Sequence, residues 1–154
     1  QNIYEKKWLN MMRDKLGLFG EDQNDLKLIN DLLNWMESNK ADYTNTFCYL
    51  MNISSNDNKY NNLDFKKWFK KWEDRILKKK GSKEKSIKLM RKNNPIVIPR
   101  NGKVEEALEA ANNNNLELVN KLLVILKKPY NTQDNIMDYQ SPSSNSGYQT
   151  FCGT

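Results

Sequence analysis

The sequence predicts an all-α protein of about six or seven helices. Three observations carry that prediction. Apolar residues recur at three- and four-residue spacing in one segment after another. No segment of useful length alternates apolar and polar residues with the period of a half-buried strand. Glycine, proline and runs of asparagine separate the periodic segments, where helices are expected to stop and turn.

The first helix is expected over Asn2 to Leu16, with Ile3, Tyr4, Trp8, Leu9, Met11, Met12 and Leu16 at helical spacing. Gly17 and Gly20 break it, leaving Leu18 and Phe19 as packing residues between them. Asp22 or Asn24 is placed to cap a second helix. Its stripe is Leu26, Ile29, Leu32, Leu33 and Met36, with Leu28 and Trp35 on the flanks, and Asn39 and Lys40 end it. Asp42 opens a third helix through Tyr43, Phe47, Leu50 and Met51. Residues 52–62 form a polar loop. A long basic helix follows from Leu63 to Lys80, stopped by Gly81, and Ser82 caps a shorter one carrying Ile87, Leu89 and Met90. Pro95 and Pro99 fix φ and bias their predecessors toward extended geometry, so residues 93–101 read as an ordered extended connector. Lys103 to Ala111 and Leu116 to Leu126 read as an antiparallel helix pair about a turn at 112–115, ended by Pro129. After Tyr130 the periodicity disappears. The expected organisation is a helical region over 1–129 and an irregular tail over 130–154, ending GYQTFCGT.

At 154 residues the chain is long enough for a moderate core. It is 38% hydrophobic and 29% charged, with a mean hydropathy of −0.89. No apolar run approaches the roughly 20 residues that span a bilayer, and no signal peptide is legible. A start on QNIYEKKWLNMM, without Met and directly on an amphipathic pattern, reads as a piece of a longer protein. The chain has no histidine and two cysteines, Cys48 and Cys152. It therefore builds no histidine-dependent triad, no Cys-His dyad and no zinc site of the usual kind by itself, nor a disulfide framework. A reducing, cytoplasmic setting is the default.

The net charge of +6 is uneven. Asp64 to Lys92 holds 13 Lys or Arg against four Asp or Glu. Within it, LDFKKWFKKWEDRILKKK places Phe65, Trp68, Phe69, Trp72 and Ile76 on one helix face, with Lys66, Lys67, Lys70 and Lys71 on the flanks and back. One reading is a surface that binds nucleic acid or anionic lipid through stacking or inserted aromatics. The favoured one is an amphipathic core helix with a solvated lysine face, because Glu73 and Asp74 interrupt the charge and the segment has only Arg75 for bidentate phosphate grip. Glu105, Glu106 and Glu109 read as solvated acids early in a helix, where the dipole favours them. Arg100 is a candidate structural anchor for a carboxylate or carbonyl group, with substrate binding as the less favoured reading, and Cys48 is a small buried hydrophobe. Cys152 is either a reactive thiol or a residue that docks with Phe151. On residues alone both stay open.

Three stretches then resemble one family. NPIVIPRNGKVEEALEAA, LLVILKKPY and the terminal YQTFCGT are similar to the C-terminal end of the SelO/YdiU proteins, and KLGL (15–18) and DYTNTF (42–47) fit the same region. The resemblance covers essentially the whole chain. It implies a kinase-like parent protein, a pseudokinase that binds ATP in a flipped orientation and transfers AMP to protein Ser, Thr or Tyr hydroxyls with Mg²⁺ or Mn²⁺. The glycine-rich loop, phosphate-gripping residues and metal ligands it implies all lie upstream. None maps onto this chain, so no catalytic, cofactor-binding or metal residue is expected here and the piece alone should be inactive. The partner implied is the chain's own upstream kinase-like region, with protein substrates reached through the parent protein. Neither a membrane nor nucleic acid is the expected partner. The family commonly carries a cysteine or selenocysteine near the C-terminus, linked in some bacterial members to redox control through a disulfide with the catalytic region. Cys152 matches that position. Two residues depart from the pattern: Gly102, where a larger residue, often His, is expected after IPRN, and Cys48, where Arg often follows DYTNTF. The Asn- and Lys-rich composition suggests a bacterial, cytoplasmic origin. The alternative from another class is a stand-alone basic helical module on nucleic acid or anionic membrane. It requires Trp68 and Trp72 to be accessible.

Overall fold

The computed structural model describes residues 2–53, 58–78 and 82–142. It is all-α: the described residues contain eight α-helices, one 3-10 turn and no β-strand. The chain divides into two compact units, Gln1–Pro95 and Ile96–Thr154.

The first unit contains α1 (Ile3–Lys15), α2 (Asp25–Ser38), α3 (Tyr43–Leu50), a 3-10 turn (Asn58–Asn61), α4 (Leu63–Leu77) and α5 (Lys83–Asn93). Side-chain caps start most of these helices. Asn2 accepts the Tyr4 amide, Asp42 that of Asn45, Asn62 those of Asp64 and Phe65, and Ser82 that of Lys85. The second helix departs from expectation. Asn24 occupies its N-cap position without a side-chain bond, and Asp22 accepts the Asn24 amide at 2.9 Å instead, shaping the turn before the helix.

The core joins Met12, Leu16 and Leu18 to Ile29, Leu32, Phe47, Phe65, Trp72, Ile76 and Met90. On α2 the buried side is Asp25, Leu28, Ile29, Leu32, Trp35 and Met36, whereas Leu26 is exposed and Leu33 half-buried. The stripe is thus turned from the one the sequence suggests. Asp25, buried between two arginines, lies on this inward side. On α4 the expected face is the buried one, although the helix ends at Leu77, with Lys78 extended. Residues 79–81, including the expected Gly81 stop, lie outside the described residues.

Gly17 is where the end of α1 meets α5. Its φ is +68°, and a Cβ there would stand 2.7 Å from the Ser86 carbonyl oxygen. Asn94 Nδ2 donates to the Lys15 carbonyl at 2.8 Å, and Lys15 Nζ donates back to the Asn93 carbonyl at 3.2 Å. The Lys15 ammonium also stands 5.4 and 5.1 Å from the ring centroids of Tyr43 and Phe47. Burial lowers the pKa of Lys15 and raises that of Tyr43.

The second unit opens with the extended connector and continues with α6 (Asn101–Asn112), α7 (Glu117–Leu126) and α8 (Met137–Gln140). α6 and α7 form the expected hairpin, turning with Asn114 at a φ of +62°. The Pro129 carbonyl accepts the Ile96 amide at 2.7 Å, which holds the connector beside the end of α7. The loss of periodicity after Tyr130 did not predict α8. This single turn buries Ile136 and Gln140, and it is too short to show a helical period.

Candidate functional site

The basic aromatic helix is decided by burial. Phe65, Trp68, Trp72 and Ile76 are buried and Phe69 is half-buried. The Trp68 and Trp72 rings lie 6.3 Å apart and 9° from parallel. Each indole is satisfied inside the protein: Trp68 Nε1 donates to the Leu28 carbonyl and Trp72 Nε1 to the Leu16 carbonyl, both at 2.8 Å. Rings held this way are not available to stack on bases or enter a lipid surface. Among the described residues no helix is long and apolar enough to cross a membrane.

The same helix supplies a polar centre that the sequence reading missed. Arg75 Nε donates to Asp25 Oδ1 at 2.7 Å and Arg75 Nη2 to Asp25 Oδ2 at 3.2 Å, a bidentate pair. From the opposite side Arg13 Nε donates to Oδ2 at 2.7 Å, and the Asp22 amide reaches the same oxygen at 3.0 Å. Arg75 also donates to the Phe19 and Gly20 carbonyls. α1, α2, α4 and the glycine turn after α1 therefore meet on one fully buried carboxylate. Burial pushes the Asp25 carboxyl up, but hydrogen bonds from Arg75, the Asp22 amide and Arg13 outweigh it, so the pKa lies below the ordinary value. The signal was present in the sequence: Arg75 stands seven residues after Trp68 and three after Trp72, on the buried face.

A groove of about 340 Å³ opens beside this centre. Four Asp (22, 25, 31 and 74) and four basic residues (Lys27, Lys71, Arg75 and Lys78) line it. Balanced charge of this kind lacks the one-sign field that gathers phosphates or nucleic acid. Both buried arginines are already committed to Asp25 and neighbouring polar groups, so the cluster is a structural clamp.

The remaining candidates separate. Arg100 lies at the N-cap position of α6, and its Nη2 donates to the Gln140 carbonyl at 3.0 Å. Gln140 Nε2 in turn donates to the Ile96 carbonyl at 2.7 Å. Connector, α6 and α8 are thereby tied together within the second unit. Cys48 is buried on α3. Glu105, Glu106 and Glu109 are exposed, and Glu106 pairs with Lys103 at 2.9 Å. Cys152 and its neighbours in GYQTFCGT lie outside the described residues. Among the described residues no cluster of three or more Cys, Asp or Glu is arranged to hold a metal ion.

The sequence profile of the family described as "Protein adenylyltransferase SelO" matches residues 1–127. The chain belongs to the SelO family. Curated relatives agree. A protein nucleotidyltransferase YdiU from Pelagibacter ubique is 54% identical over 98% of this chain, which corresponds to 32% of that relative. Those from Bacillus mycoides and Bacillus cereus are each 45% identical over the same shares. The chain thus spans about a third of the length of the curated SelO-family relatives it matches.

Proposed function

We propose that this chain is the C-terminal helical part of a protein adenylyltransferase. The parent protein transfers AMP from ATP to Ser, Thr or Tyr hydroxyls of proteins, and this part supports the catalytic core. The observation that carries the reading is the 54% identity to a protein nucleotidyltransferase over 98% of the chain. The chain's own chemistry agrees with a supporting role. It has no histidine, and its fully buried carboxylate, Asp25, is locked between two arginines.

In this reading no step of AMP transfer runs through the residues of this chain. ATP and Mg²⁺ or Mn²⁺ are assigned to the upstream kinase-like region, where charge neutralisation by the metal is the usual contribution to phosphoryl chemistry. This chain's residues hold structure. The Asp25 clamp fixes α1, α2 and α4, and Arg100 anchors the second unit. Cys152 is the proposed site of redox control, through a disulfide with the catalytic region.

The test is labelled-ATP incorporation into protein by the full-length parent, with Mn²⁺ and under reducing conditions. Transfer of AMP by the full-length protein, and none by this chain alone, is the expected result. A full-length protein that is folded and transfers no AMP overturns the reading. For the redox part, Cys152→Ser in the full-length protein is expected to keep basal activity and lose its response to oxidant. An unchanged response overturns that part.

A further inference from the structure

α7 is more apolar than its own unit uses. Seven of its ten residues in ELVNKLLVIL are Leu, Val or Ile, yet only Ile125 is buried. Leu118, Leu122, Ile125 and Leu126 share the side that carries Ile125, whereas Leu116, Leu123 and Val124 recur at i, i+7 and i+8 on another. Those three are 58%, 50% and 64% exposed, with Asn120 and Lys127 among them and Glu117 at the Val124 edge. A surface helix needs one apolar stripe, and α7 carries a second that its own unit leaves uncovered. Contiguous apolar surface left outside marks an interaction site.

We infer that the Leu116–Leu123–Val124 side of α7 is a docking face for the part of the parent polypeptide that lies outside this chain. The proposal rests on the reading of this chain as one part of a longer enzyme. Two observations select that occupant. The chain spans only 32% of the relative it matches, so about two-thirds of the parent's length has no counterpart here. The face is also aliphatic at its centre, with Lys127 and the Glu117–Lys121 ion pair at its edges, the apolar-centre and charged-rim pattern of a protein interface. Docked there, the absent polypeptide completes the burial that the α6–α7 hairpin begins.

The experiment uses the full-length parent with a photoreactive benzoylphenylalanine at Asn120, an exposed position between Leu116 and Leu123 on the same side. Cross-linked peptides are then mapped by mass spectrometry. The expected products join residue 120 to sequence preceding this chain, within one polypeptide. Adding Leu123→Asp and Val124→Asp is expected to cut their yield about tenfold, as loss of two buried aliphatic contacts implies. Both residues are exposed within the second unit, so these changes leave its own packing intact. Cross-links confined to residues 1–95 or 143–154, cross-links between two copies, or no cross-links would each overturn the inference. The readout needs no catalysis. A protein that cross-links as expected but transfers no AMP sinks the proposed activity alone, and active enzyme with the wrong cross-links sinks the docking face alone.

Discussion

Asp25 concentrates most of the polar energetics of the first unit. It is fully buried and receives four hydrogen bonds, three from arginines on two other helices. A buried ion cluster of this kind adds little over a well-packed apolar one, but removing one member strands the others. Asp25→Asn leaves two buried guanidinium groups facing a neutral amide. It should destabilise the fold by about 3–5 kcal/mol, read by urea denaturation. The acid limb of stability follows from the lowered pKa of Asp25. Above the unfolded carboxylate value, near ~4, both states are ionised and the stabilisation is complete; as pH falls through the folded value it is lost. The wild-type stability–pH curve should therefore fall in acid, and the part due to Asp25 should be missing from the Asp25→Asn curve. Superimposable acid limbs would refute the assignment.

Elements in this protein are joined where backbones come close. Gly17 permits one such approach, because its positive φ and its distance to Ser86 both exclude a side chain. Gly17→Ala should cost at least the ~1–3 kcal/mol of a strained left-handed residue, with further loss as α5 shifts. Thermal unfolding reads the effect, and an unchanged midpoint would contradict the packing described for α1 and α5. In the second unit the equivalent role falls to side chains. Gln140→Ala removes the donor to the Ile96 carbonyl, a bond whose loss costs on the order of 1 kcal/mol. Amide exchange of residues 137–140 should accelerate, while exchange in α1 to α5 stays as it was.

For the molecule as a whole, the basic block is a solvated surface over an aromatic core. Lys66, Lys67, Lys70 and Lys71 are exposed, while Trp68 and Trp72 bond inward. Phosphates can still be attracted weakly at low salt, through a term that falls steeply as counterions compete. Tryptophan emission of a Trp8→Phe variant, which removes the half-buried indole, should therefore be unchanged by single-stranded DNA at about 50 mM salt. Quenching would show that the indoles are reachable and restore the nucleic-acid reading.

Much of this was legible in the sequence, because local rules decide it. The periods of α1, α3, α4, α6 and α7, the caps at Asp42 and Ser82 and the break at Pro95 follow from side-chain spacing, short polar caps and fixed φ. Family membership was legible too, in NPIVIPRN and the FCGT ending. The Asp25 clamp was not, nor was the rotation of α2 that comes with it. Its three members stand at positions 13, 25 and 75, and no spacing rule links residues so far apart in sequence. α8 escaped because one turn has no measurable period, and its place depends on Arg100 and Gln140 meeting across 40 residues of chain. The sequence by itself determined which of the longer segments are helical and which family they belong to. The tertiary structure alone decided which charges are buried and which aromatics are out of reach, because burial is a property of neighbours brought together by folding.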